Sequence, residues 1–140
     1  MEKFFDIRLI EFPKIEDPRG NLSFIENGRH LPFDIERVYW TYDIPSWRER
    51  HGRALRTCAE LVIATSGQCT VTVDDGRGIE KSYTLNRSNV GLYLPPMTWR
   101  TISDFVTGTT CVTIASKLYD ETDYIRDYKQ FKASLADELQ

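Results

Sequence analysis

Short runs rich in β-branched and aromatic residues, several of them alternating with polar ones, recur along most of the chain. They cover Phe4–Ile10, Leu22–Glu26, Ile35–Tyr42, Arg53–Thr57, Leu61–Thr65, Cys69–Asp74, Lys81–Leu85, Val90–Leu94, Trp99–Asp104 and Cys111–Ser116. A two-residue period is that of a strand with one face buried. Ser66-Gly67 and Asp74-Asp75-Gly76 supply residues that tolerate positive φ, and Pro95-Pro96 breaks the ladder before Trp99. Many short strands at close spacing predict a sandwich or a barrel of the jelly-roll kind. The last stretch, YDETDYIRDYKQFKASLADELQ, changes period: Tyr124, Tyr128, Phe131 and Leu135 recur at helical spacing. Asp120 or Thr122 is placed to cap this helix, whose apolar stripe is expected to lie across one sheet.

Composition narrows the class without changing the fold. The 140 residues fall in the range of one domain, expected over 1–140, and at 41% hydrophobic and 28% charged the chain is globular. A net charge of −3 argues against nucleic acid as a partner, since phosphate affinity comes from accumulated Lys and Arg. Cys58, Cys69 and Cys111 are odd in number, widely spaced and without a CxxC pair, so they predict reduced buried thiols. The N-terminal MEKFFDIRLIEFPKIEDPRG breaks its apolar residues with charges, unlike a signal peptide, and no run reaches membrane-spanning length. The expectation is a cytoplasmic protein that does not meet a membrane.

Candidate chemistry gathers around HGRALRTCAELVIATSG, residues 51–67. Arg53-Ala54-Leu55, then Glu60, then Gly67 resembles in spacing the first motif of a cupin barrel, in which an HxH pair points both imidazoles into the barrel to share a metal. Pro95-Pro96-Met97-Thr98-Trp99-Arg100 resembles the second motif, with arginine in the histidine slot. The frame is present and the ligands are replaced. With only His30 and His51 in the chain, a three-histidine metal site cannot be assembled within it, and a guanidinium beside the slot repels a divalent cation. No metal and no cofactor is expected. Arg53 and Arg100 instead suit an anion, or each forms an ion pair with Glu60 or Asp104.

A wider resemblance runs nearly end to end. Asp17-Pro18-Arg19-Gly20-Asn21-Leu22, Pro32-Phe33 followed by Arg37-Val38-Tyr39, Val73-Asp74-Asp75-Gly76, Gly91-Leu92-Tyr93 and Tyr119-Asp120-Glu121-Thr122-Asp123-Tyr124-Ile125-Arg126 are similar to the small cupins that act as nucleotide-sugar 3,4-ketoisomerases. The resemblance implies an all-β cupin jelly-roll barrel with a C-terminal α-helix, and a dTDP-4-keto-6-deoxyhexose ligand on the way to amino sugars of bacterial surface polysaccharides. It also implies a homodimer in which N-terminal strands are swapped, Phe4–Ile10 being the fitting segment. The family's working motif is approximately RGxHAHK. Arg50 stands at its arginine, Arg53 and Leu55 at its histidines and Arg56 at its lysine, and Arg100 follows Trp99 where the family favours histidine.

Moving a carbonyl from C4 to C3 through an enediolate requires a group that takes and returns a proton. Leu55 cannot, and Arg53 stays protonated. His51 has the parity of Arg53 but lies two residues, about 6.6 Å, nearer the expected mouth. Tyr39 and Tyr93 are candidate donors, and Glu60 a candidate base if desolvated. Arg50, Arg53, Arg100, Glu60 and Trp99 are the candidate substrate-binding set. Trp40, Trp47 and Trp99 offer stacking faces for a base, or pack in the core. Two readings follow: a metal-independent nucleotide-sugar ketoisomerase using His51, Tyr39 or Tyr93, and a catalytically inactive nucleotide-sugar-binding cupin acting as sensor or partner subunit.

Overall fold

The computed structural model describes residues 6–45, 48 and 50–138, without the side chains of Arg50 and Glu138. Twelve strands are formed among them: β1 (Arg8–Glu11), β2 (Lys14–Ile15), β3 (Leu22–Ser23), β4 (Arg37–Thr41), β5 (Arg50–Leu55), β6 (Glu60–Ser66), β7 (Cys69–Asp74), β8 (Glu80–Leu85), β9 (Val90–Leu94), β10 (Trp99–Ser103), β11 (Thr110–Ala115) and β12 (Tyr124–Ile125). A 3-10 turn, Glu121–Asp123, and helix α1, Tyr128–Glu138, complete the order. One sheet runs β1-β9-β6-β11-β4, the other β12-β5-β10-β7-β8, and β2-β3 is a separate hairpin.

Alternation along each strand decides what faces inward. On β6, Val62 and Ala64 join Cys69, Val71, Val73, Leu85, Leu92, Leu94 and Ile102 in the core between the sheets. Leu61 and Ile63 point the other way and are covered by Phe12 and Leu31 from the N-terminal segment. Glu60 has the parity of Val62 and Ala64, so the strand period alone carries its carboxylate inside. Arg37 and Tyr39 are brought to the same interior by the register Ala115↔Arg37 and Thr113↔Tyr39 on one side of β11 and Ala115↔Glu60 on the other.

The β6–β7 hairpin turns at Gly67, whose φ is +75°. A Cβ there would also sit 2.6 Å from the Thr109 Cα, where backbone cannot yield. Gly67→Ala is therefore expected to cost about 2–4 kcal/mol in urea unfolding, combining left-handed strain with overpacking; a loss below about 1 kcal/mol would show that the turn relaxes freely.

Helix α1 starts later than the spacing predicts. Tyr124 does not lie on it but pairs with Leu55 in β12. Asp120 caps the 3-10 turn by accepting from the Thr122 N–H, while Asp127 caps the helix, accepting from the N–H groups of Lys129 and Gln130 at 2.8 and 3.2 Å. The reason is tertiary: the Asp123 carboxylate accepts from the Thr57 and Cys58 N–H groups, tying this segment to the β5–β6 connection. Phe131 then packs with Ala54, Met97 and Ile125 on the outer face of the second sheet. Of Phe4–Ile10, residues Arg8–Ile10 pair with β9, and Phe4 and Phe5 lie outside the described residues. No helix among the described residues is long and apolar enough to cross a membrane.

Candidate active site

Glu60 is wholly buried, and three guanidinium groups surround it. Arg100 Nη1 lies 3.4 Å from Oε1, Arg53 Nη2 3.6 Å from Oε1, and Arg37 Nη2 3.7 Å from Oε2. The Tyr39 hydroxyl donates to Glu60 Oε2 at 2.7 Å and accepts from Arg53 Nη2 at 2.9 Å. Arg37 Nη2 donates to the Tyr124 hydroxyl at 3.3 Å. Arg53 and Arg100 face one another across the β5–β10 ladder. That register is set by the Pro95–Thr98 turn, where Met97 takes a φ of 60° and donates its N–H to the Leu55 carbonyl at 2.7 Å.

Burial is graded across the cluster. The side chains of Arg37 and Arg53 keep 15% and 13% of their exposure, Arg100 keeps 1% and Glu60 none, so the group opens to solvent on the Arg37 and Arg53 side. Burial holds Arg100 below the ordinary guanidinium pKa, against the pull of Glu60. Burial would lower Arg53 too, but Tyr39 and Glu60 outweigh it and the net shift is upward. Burial, and then the Glu60 carboxylate, push Tyr39 up to about 12 from 10.0.

Tyr39 therefore imposes a pH dependence on stability. Above pH 10 the unfolded chain releases this proton while the folded chain keeps it, so the folded state loses roughly 3 kcal/mol between about pH 10 and 12. Urea unfolding of the wild type and of Tyr39→Phe should diverge in this window, the variant losing less; parallel pH profiles would exclude the assignment.

Both arginine expectations can be placed. Arg53 and Arg100 point inward and share Glu60 as their acidic neighbour; neither is paired with Asp104. Three other expectations are corrected. Tyr93 lies opposite Leu61, on the outer face of the sheet, stacked on Phe33 at 6.1 Å and under the Arg8 guanidinium. Trp99 alternates out as Arg100 alternates in, and it packs on Tyr128 and Phe131 of α1 at 5.3 and 5.6 Å. His51 is exposed. Between Arg100↔Arg53 and Ile102↔Arg50 the ladder slips by one residue, and this bulge breaks the alternation that would set His51 beside Arg53. The Arg50 side chain and Trp47 lie outside what is described. Arg37 and Tyr124 were not anticipated. Arg37 was legible from its parity with Tyr39, whereas Tyr124 was hidden by its helical spacing from Tyr128. Among the described residues no three His, Cys, Asp or Glu side chains gather as a metal-binding group.

Two packed antiparallel sheets with a charged cluster set into one end of the interior define a cupin-like jelly roll. The family model described as FdtA: WxcM-like, C-terminal matches residues 5–136, and the chain belongs to that family. It is 39% identical over 129 residues, 92% of either chain, to the TDP-4-oxo-6-deoxy-α-D-glucose-3,4-oxoisomerase of Aneurinibacillus thermoaerophilus. Among solved structures it is similar to a 3,4-ketoisomerase from Helicobacter canadensis, with a TM-score of 0.90 at 34% identity over 94% of this chain and 98% of that one. A variant of the 3,4-ketoisomerase QdtA from Thermoanaerobacterium thermosaccharolyticum, solved in complex with TDP-4-keto-6-deoxyglucose, superposes with a TM-score of 0.91 at 33% identity, covering 95% of this chain and 96% of its own.

Proposed function

We propose that the protein binds a TDP-linked 4-keto-6-deoxyhexose and isomerises it to the 3-keto sugar without a metal, in the supply of surface-polysaccharide sugars. The observation that carries the chemistry is the Tyr39–Glu60 pair inside a shell of three arginines. Glu60 takes the proton from C3 as the electron pair moves to form the C3–C4 double bond and a C4 oxyanion. Tyr39, protonated at neutral pH, relays the O3 proton to O4, and Glu60 returns the first proton to C4 as O3 becomes the carbonyl. The guanidinium groups stabilise the enediolate in a water-poor setting, where such charge stabilisation is strongest. His51 and Tyr93 take no part in this scheme, because one is exposed and the other points away from the cluster on the outer face of the sheet.

The test is to incubate the protein with TDP-4-keto-6-deoxyglucose in deuterated water and follow the sugar by NMR. A 3-keto product is expected, its C4 keeping the proton that Glu60 carried over from C3. Calorimetric binding of TDP with no conversion would instead establish the inactive binding cupin, for which the exposure of His51 is the motivating observation; absence of TDP binding would defeat both readings. Supporting a homodimer are the large apolar side chains exposed at both edges of the first sheet, Leu9 on β1 and Val38 and Trp40 on β4. Light scattering should give twice the chain mass.

A further inference from the structure

We propose, resting on the ketoisomerase reading above, that Tyr119 and Tyr124 are positioning residues. Together with Glu121 and Arg126 they hold the Arg37 guanidinium on the open side of the Glu60 cluster, ready for the charge that develops on the sugar. All four belong to residues 119–126, YDETDYIR, a stretch that takes no part in the proton transfers.

The backbone of this stretch is fixed at several points. Asp120 caps the 3-10 turn, the Asp123 carboxylate accepts from the Thr57 and Cys58 N–H groups, and Tyr124 and Ile125 pair with Leu55 and Ala54 of β5. Its side chains then close a ring of contacts with Arg37. The Tyr119 hydroxyl donates to Glu121 Oε1 at 2.8 Å, Arg126 Nη2 donates to the same oxygen at 2.9 Å, and the Arg126 guanidinium lies over the Tyr124 ring at 4.6 Å. The Tyr124 hydroxyl accepts from Arg37 Nη2 at 3.3 Å. Arg37 in turn lies over the rings of both Tyr39 and Tyr119, 5.1 and 5.5 Å from their centroids.

Stability does not account for this ring. Tyr119 is 61% exposed and the Glu121–Arg126 pair faces solvent, and exposed contacts of that kind add little to folding. What they restrain is an arginine with few other ties. Arg37 Nη2 stands 3.7 Å from Glu60 Oε2, beyond hydrogen-bond reach. Its Nε is buried without an acceptor, and the contact with Tyr124 is its one side-chain hydrogen bond among the described residues. Keeping so long and loosely paired a side chain in one place costs rotamer freedom. Two aromatic faces and a hydroxyl supply that restraint before substrate arrives, and a charge already in place stabilises an enediolate better than one drawn in during the reaction.

Kinetics of Tyr119→Leu and Tyr119→Phe with TDP-4-keto-6-deoxyglucose test this. Leucine takes the ring away from Arg37 and is expected to lower kcat about tenfold, with KM changed less than about twofold and the urea midpoint unmoved. Phenylalanine keeps the ring and should restore kcat to within about threefold of the wild type. An unchanged kcat in Tyr119→Leu, an equal loss in Tyr119→Phe, or a rise in KM alone, which would make Tyr119 a binding face for the nucleotide, overturns the inference and leaves the ketoisomerase reading standing. Should the wild type bind TDP without turning the sugar over, that reading falls, and the Arg37 Hε resonance, assigned through Arg37→Lys, decides the clamp alone. An upfield ring-current shift lost in Tyr119→Leu and kept in Tyr119→Phe upholds it; a resonance unmoved by either substitution overturns it.

Discussion

Glutamine in place of Glu60 is expected to lower folding stability by about 3–5 kcal/mol, the penalty for leaving buried charges without their partner. The substitution keeps the side chain's shape and an oxygen able to accept from Tyr39 Oη, so what is lost is the negative charge amid Arg37, Arg53 and Arg100. The midpoint of urea unfolding reads the effect. A loss below about 1 kcal/mol, the range of exposed ion pairs, would show that Glu60 does not hold the guanidinium groups in place. A ligand that binds only the folded state should recover part of the loss, and TDP added in excess is the ligand to use.

Arg100→Met should act with the opposite sign on stability. Replacing a wholly buried cation, surplus to the one carboxylate it shares, by an apolar side chain of similar length is expected to stabilise the fold by about 1–4 kcal/mol. The same change should weaken binding of a TDP-sugar by about tenfold or more. Stability gained while binding is lost would mark Arg100 as a group kept for its ligand. Destabilisation by more than about 3 kcal/mol would instead make it a structural partner of Glu60. Because the two residues touch, their effects should not add: the double variant ought to be less impaired than Glu60→Gln alone.

Much of the site was legible before any coordinates, and the reason is the two-residue period of a strand. Glu60, Val62 and Ala64 share a parity, as do Arg37 and Tyr39, and as do Arg100 and Ile102; any sheet that buries the apolar members buries the charged ones with them. Arg53, Glu60 and Arg100 were placed by their resemblance to the cupin motifs, and the strand period explains why those positions face inward. The misplacements occur where another force overrides the period. His51 is displaced by a bulge in the β5–β10 ladder, which depends on two strands far apart in sequence. Tyr124 keeps a helical spacing from Tyr128 yet lies in a strand, because Asp123 is held by the Thr57 and Cys58 amides. Trp99 and Tyr93 have strand neighbours that face inward, and only a count from those neighbours reveals that they themselves do not.

The sequence by itself determined the strand-rich architecture, since alternation and turn residues are local properties of the chain, and its resemblance to the cupin motifs pointed to inward-facing arginines at 53 and 100. Tertiary structure alone decided that three arginines converge on a single carboxylate, that one of them is wholly buried, and that Tyr39 bridges Arg53 and Glu60. These facts depend on the register of β4, β6 and β11 and on a turn that sets β10 against β5. Such pairings join residues up to scores of positions apart, and no local pattern encodes the distance between side chains that meet across two sheets.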